Sequence, residues 1–375
     1  MNERIKYLTI SDIHLGHNRN KTQSIVDNLD KFLYVNNDFK DLDIIFIAGD
    51  LFDTLLDLSN DEISMIMGCL SKLMWFCGIN KIKLRILKGT PSHDWNQSKV
   101  AESVYKLSRV EIDFKYIDTL FIECIKDLQL HILYVPDEWT SSTELTFNQV
   151  QQLLKDNNIE QVDIAIMHGM FNYQLRNIPG NMQKHNEADY LNIVKHYINI
   201  GHIHTYSHYE RIIAQGSFDR LSHGEEEPKG GVVCEITKDR QDMFYFIENK
   251  TAKIYKTIEL KSKDLESSIK KIDKIVTKLP IDSYVRIKAN KDHPLYSAFD
   301  NLKLRYPFIY FSKTSIEDDE EQYILINTSN QLNNDYIPLT ITRENYKDLL
   351  LKEINSKYKL TDNQFKILNK ALEIE

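Results

Sequence analysis

Through its first 240 residues the chain alternates short apolar runs with helix-length segments, and this alternation restricts the fold more than any other feature of the 375 residues. The runs IKYLTI (5–10), LDIIFIAG (42–49), KIKLRILKG (81–89), LQLHILYVP (128–136), VDIAIMHG (162–169) and YINIGH (197–202) read as largely buried strands. Segments near 21–36, 59–77, 98–107, 145–156 and 186–195 have the length and pattern of helices. Strand and helix in alternation predict an α/β sandwich. Almost every polar cluster of chemical interest falls just past the C-terminal end of a strand, where α/β sheets place their ligands.

Five such clusters follow in order. SDIHLG supplies Asp12 and His14, GDLFD supplies Asp50 and Asp53, and GTPSHD supplies His93 and Asp94. MHGM supplies His168, and GHIH supplies His202 and His204. Flanking glycines allow tight turns and close backbone approach. Each cluster alone says little, since an Asp-x-His after a strand is more often structural. Together they have the composition of a dinuclear metal site. Two divalent ions about 3.5–4 Å apart clamp the attacking and leaving oxygens of an in-line phosphoryl displacement. Such a site needs a bridging carboxylate, with further carboxylates and imidazoles to fill each shell. Mixed Asp/His donors suit Mn²⁺, Fe²⁺ or Zn²⁺ better than Mg²⁺ or Ca²⁺, which prefer oxygen. A histidine outside the ligand set can protonate the leaving group.

The set resembles the calcineurin-like metallophosphoesterase superfamily over most of residues 5–235. Within it, DIHLG followed by GDLFD, and AQGSFDRLSHGEEEPKGGVVCEI at 214–236, resemble the nuclease subunit of SbcCD-type double-strand-break complexes, phage recombination endonuclease subunits included. The resemblance implies a β-sandwich flanked by helices over 1–250, an α+β capping domain over 251–315, a linker over 316–340, and C-terminal helices over 341–375 that dock on a partner ATPase. It implies a Mn²⁺-dependent DNA exonuclease/endonuclease with two divalent metal ions, an SbcC-type SMC-like ATPase partner and a homodimer. By motif, Asp12, His14, Asp50 and His204 would hold one metal. Asp50 would bridge to a second, held also by His168 and His202. His93 would be the catalytic acid, steadied by Asp94.

One stretch departs from the resembled pattern. LKGTPSHDWN (87–96) keeps the Gly and the His-Asp of a Gly-Asn-His-Asp turn but lacks its asparagine, a ligand of the second metal. Aligned on His93, Ser92 stands at that position, and Thr90-Pro91 are extra. A hydroxyl donates more weakly than an amide oxygen, so the second metal would bind less tightly there, or water would fill the gap. His17 and Asp53 lie near the site, and solvent exposure or helix capping accounts for them equally well. The segment 171–190 is expected to overhang the site, with Tyr173, Arg176 and Lys184 as DNA contacts or as parts of a solvated loop.

The remaining sequence sets bounds. No apolar run reaches the ~20 residues of a membrane span, and the N-terminus runs straight into a strand pattern with no signal-peptide core. Four cysteines, none in a C-x-x-C pair, suit a reducing cytoplasm. The net charge of −8 is unusual for a passive nucleic-acid coat. It is compatible with an enzyme whose metals face phosphate, or with a subunit whose partner holds the DNA. After 252 the pattern predicts strand 253–260, helix 264–279, strand 283–289, helix 294–304 and strand 308–313, without a His/Asp cluster. At the C-terminus, Tyr346, Leu349, Leu350 and Ile354 share one helical face, and Thr361–Gln364 is a plausible capping box before Phe365, Leu368 and Leu372. Two other readings stay open: a phosphodiesterase or phosphatase acting on a small molecule or RNA, and a scaffold that catalyses nothing.

Overall fold

The computed structural model describes residues 3–57, 61–175 and 182–316. The chain divides into two compact units, Met1–Glu317 and Asp318–Glu375. The expected linker beyond Ile316, the C-terminal helical pair and Arg176 lie outside the described residues.

Strands β1 (Arg4–Ile10), β2 (Ile44–Ala48), β3 (Lys83–Leu87) and β4 (Phe114–Ile117) run parallel to one another. Strands β5 (Phe121–Ile125), β6 (Leu130–Val135), β7 (Ile164–His168), β8 (Ile198–Gly201), β9 (Ser207–Tyr209) and β10 (Ile212–Ala214) build a second sheet in the order β5-β6-β7-β8-β10-β9. Then β11 (Gly230–Thr237) and β12 (Met243–Glu248) return antiparallel to the edge of the first, whose order is β12-β11-β1-β2-β3-β4. The result is two large mixed sheets flanked by helices.

Side-chain alternation explains why β2 is apolar throughout. In β2, Ile44, Phe46 and Ala48 face the second sheet, where they meet Leu130, Ile132, Tyr134, Ile164 and Ile166. Ile45 and Ile47 turn the other way, toward Ile25 and Leu29 of α1 (Thr22–Asp30) and Ile66, Leu70 and Met74 of α2 (Asp61–Asn80). A strand covered on both faces shows no polar alternation. Each such fully buried Ile or Phe contributes about 1.5–3 kcal/mol before chain entropy is subtracted. α2 is long and apolar enough to cross a membrane by length and composition, beyond the strand-sized limit expected. Its Ile63, Ile66, Leu70, Leu73, Met74 and Cys77 form the face buried in the core.

The short helix α3 (Pro91–Asp94) opens with proline, whose fixed φ suits a first turn. After it come α4 (Val100–Ser108) and, on the far face of the second sheet, α5 (Thr143–Asp156) and α6 (Glu187–Ile193). Ser142 caps α5 by accepting from the Leu145 N–H. Beyond residue 250, β13 (Tyr255–Glu259), α7 (Leu265–Val276), β14 (Tyr284–Ala289), α8 (Phe299–Arg305) and β15 (Tyr310–Ser315) make a parallel three-stranded sheet with helices and a core of its own. The four cysteines are unpaired.

Candidate metal centre

The loops after β1, β2, β3, β7 and β8 all leave the same edge of the two sheets, and they bring the motif residues together. Asp12, His14 and His204 form one group, and Asp50, His168 and His202 form another. Within each group the ligand atoms lie within 4.8 Å of one another, and each group could hold a metal ion. Asp12, His14, Asp50 and His202 all have positive φ, at 51°, 54°, 46° and 97°. Non-glycine residues occupy that region at a cost, and here the surrounding backbone imposes it. The Asp12 N–H donates to the Gly49 carbonyl, and the Ile13 and His14 N–H groups donate to that of Asp50. Gly49 has no substitute: a Cβ there would sit 2.1 Å from His168 Nδ1. A Cβ on Gly89 would sit 2.0 Å from the Asp50 nitrogen.

Outer partners choose the histidine tautomers. His168 Nδ1 lies 2.7 Å from the Ala48 carbonyl, which only accepts, so the proton sits on Nδ1. Its Nε2 is fully buried, has no hydrogen-bond partner and lies 3.3 Å from Asp50 Oδ2. His204 Nδ1 pairs with Glu225 Oε1 at 3.1 Å, and His14 Nδ1 lies 3.0 Å from Asp53 Oδ1. Both carboxylates favour a proton on Nδ1, yet the two Nε2 atoms face each other at 3.1 Å. Facing lone pairs in a buried site repel unless a proton or a cation lies between them. Imidazole and carboxylate donors together suit a divalent transition-metal ion.

Charge behaves accordingly. Burial alone would push the His168 imidazole down, but Asp50 beside it holds it well above its ordinary range. Burial would raise Asp50, and His168 reverses this, holding the carboxyl far below the usual range. Burial also opposes the His204–Glu225 pair, yet Glu225 raises His204, and with His204 beside it Glu225 is held at about 2.

The remaining predicted residues are placed as follows. His93 Nδ1 donates to the Asp53 carbonyl at 3.0 Å, and its ring meets that of His14 edge-on at 5.1 Å. His93 Nε2 is left free to carry a proton. Asp94 does not steady His93, contrary to expectation. It is fully buried and accepts from the Gly89 N–H at 2.6 Å and the Phe52 N–H at 3.3 Å, stitching the β2 and β3 loops together. Burial, then Asp50, pushes its carboxyl up to about 6. Asp53, ambiguous in the sequence, serves two histidines at once. Ser92 is exposed on α3, and Thr90 instead reaches the cluster, because the α3 turn lifts residue 92 outward. Thr90 donates its N–H to Asp50 Oδ1 at 2.6 Å. His17 Nδ1 accepts from the Arg19 and Asn20 N–H groups, closing a turn.

Tyr173 stacks on Tyr209 and packs on the second sheet's outer core, while the Lys184 carbonyl accepts from the Thr143 hydroxyl. These contacts place Tyr173 in packing rather than in the cluster. The sequence reading missed Asp137, whose Oδ2 lies 3.5 Å from His202 Nδ1. Its position just after β6 was the available signal. The 214–236 segment proves to be a buttress. The Ser217 N–H donates to the His204 carbonyl, and the Phe218 N–H to those of Ser11 and Asp12. The buried Lys229 joins the His204 carbonyl to Glu225 and Glu227.

No family model matches this chain, and no curated protein matches it. Among solved structures, it is similar to GAP50, the anchor in the inner membrane complex of Plasmodium, at 13% identity and a TM-score of 0.40, over 66% of this chain and 85% of that one. It is also similar to the protein TT1561 of Thermus thermophilus, at 9% identity and a TM-score of 0.36, over 64% of this chain and 98% of that one. Likenesses at these TM-scores carry no argument about the site.

Proposed function

We propose that this chain is a metal-dependent DNA nuclease of the calcineurin-like metallophosphoesterase type, the SbcD-like subunit of a cytoplasmic DNA repair or recombination complex. The observation that carries the metal centre is the convergence of His14 Nε2 on His204 Nε2 at 3.1 Å and of His168 Nε2, which has no hydrogen-bond partner, on Asp50 Oδ2 at 3.3 Å. The DIHLG, GDLFD and 214–236 motifs carry the assignment to DNA and to an SbcC-type ATPase partner and homodimer.

In this reading Asp12, His14, Asp50 and His204 would hold one Mn²⁺, and Asp50, His168 and His202 would hold the other. The two cations, when bound, polarise the phosphodiester and supply a nucleophile at neutral pH. The chain's own residues do the rest. Asp53 and Glu225 orient His14 and His204, and Asp94 fixes the spacing of the two loops. His93, with its Nδ1 proton committed to the Asp53 carbonyl, delivers a proton from Nε2 to the leaving oxygen.

The test is cleavage of linear duplex and circular single-stranded DNA by the purified chain with Mn²⁺, Mg²⁺ or chelator, beside a His93→Gln variant. Cleavage should require Mn²⁺ and fall about 10²–10⁴-fold in the variant, the usual worth of a general acid, while bound metal is unchanged. Undiminished cleavage by the variant would remove His93 from the mechanism. An inert wild-type chain with both metals bound, alone and with its ATPase, would favour a scaffold.

A further inference from the structure

The pattern this chain resembles supplies an amide oxygen to the second metal, and neither Thr90 nor Ser92 carries one. The structure brings in a residue from outside the motif set. Asp137 follows β6, with its side chain 14% exposed. Its Oδ1 accepts from the Glu138 N–H at 2.9 Å, which leaves Oδ2 turned toward the cluster. Oδ2 lies 3.0 Å from Thr90 Oγ1 and 3.5 Å from His202 Nδ1. Thr90 Oγ1 is also 3.3 Å from Asp50 Oδ2 and 3.2 Å from His202 Nδ1.

Thr90 Oγ1 thus sits among two carboxylate oxygens and a His202 ring nitrogen whose donor or acceptor role follows its tautomer. In the same cluster His168 Nε2 has no hydrogen-bond partner. Two donors each about 2.1 Å from one ion lie roughly 3.0–3.4 Å apart. The separation of His168 Nε2 from Asp50 Oδ2, at 3.3 Å, falls in that range, and that of Asp137 Oδ2 from His202 Nδ1, at 3.5 Å, lies just beyond it.

We propose that Asp137 Oδ2 is a direct ligand of the second metal ion, standing in for the missing amide, with the Thr90 hydroxyl holding the carboxylate in place. The inference rests on the dinuclear reading above and goes beyond it. A carboxylate in place of an amide adds a negative charge and an anionic oxygen. Asp12, Asp50 and Asp137 then face two dications, where the amide pattern has two carboxylates. The second ion is held more tightly, because an anionic oxygen takes the place of a neutral one.

The experiment is Mn²⁺ titration of the full chain by calorimetry and elemental analysis, with electron paramagnetic resonance reporting whether two ions are exchange-coupled. The wild type should bind two ions and show the coupled signal. Asp137→Ala should keep the first ion, bind the second at least tenfold more weakly and lose the coupled signal. Asp137→Asn, which restores an amide oxygen, should recover part of that affinity, and Thr90→Val should keep both ions. Two ions bound to folded Asp137→Ala with wild-type affinity would overturn the proposal. So would equal affinity in folded Asp137→Asn and the wild type, should the alanine variant not fold. Fewer than two ions on the wild type would instead defeat the dinuclear reading itself.

Discussion

His14, His168 and His204 each present one nitrogen to the cluster because something outside it has engaged the other: Asp53, the Ala48 carbonyl and Glu225 in turn. Partners of this kind set ligand basicity as well as direction, and losing one typically weakens metal affinity by about 10–100-fold. Glu225→Gln is therefore expected to weaken Mn²⁺ binding within that range, measured by calorimetry, while circular dichroism stays unchanged. A second residue-level expectation concerns acid. His185 is buried between Phe171 and Tyr190, and burial lowers it from its usual range to about 4. The fold keeps it neutral, whereas the unfolded chain takes up a proton below about 6.5. Its contribution is thus complete above that pH and is lost as pH falls toward 4, up to about 3 kcal/mol. Urea midpoints should show this slope in the wild type and a flatter one in His185→Gln. The ligating residue types could be read from the chain because each follows a strand end in a recognisable motif. For Asp137 the place after a strand was the sole signal, too weak by itself because an Asp-Glu there looks like any solvated turn, and only the fold brings it to His202. The exchange of Ser92 for Thr90 could not be read there, since it depends on a left-handed Trp95 closing the α3 turn.

At the scale of elements, the site depends on loops locked to one another rather than on any one strand. The Cβ of a Gly49→Ala variant would overlap the His168 ring. This variant is expected to lose metal binding even where it folds, as elemental analysis would show. Lys229 is almost wholly enclosed and bonded to Glu225, Glu227 and the His204 carbonyl. Removing one partner of a buried ion pair costs about 3–5 kcal/mol, so Lys229→Ala should lower the denaturant midpoint accordingly. The long strands were legible because both faces are covered and most positions are apolar. Strands β4, β5, β9, β10 and β12 were not. They are short or half-exposed, as in β12, where Met243 and Tyr245 face solvent. The 214–236 stretch was legible as a motif but not as a buttress, since its targets are backbone carbonyls that no sequence pattern marks.

For the molecule as a whole, a centre assembled from five loops of two sheets exists only in the folded chain, so ions bound there as proposed would stabilise folding by mass action. At a Mn²⁺ concentration a hundred times the dissociation constant, one site adds about 2.7 kcal/mol. The thermal midpoint should rise with Mn²⁺, fall with chelator and become insensitive to both in Asp50→Asn. The third sheet enters this arrangement through two adjacent residues. Glu225 holds His204, while Glu226 accepts from the Thr257 N–H and pairs with Lys256 of β13. A tilt of β13 therefore reaches a ligand imidazole across a single peptide link, a lever arm one residue long that bypasses the core.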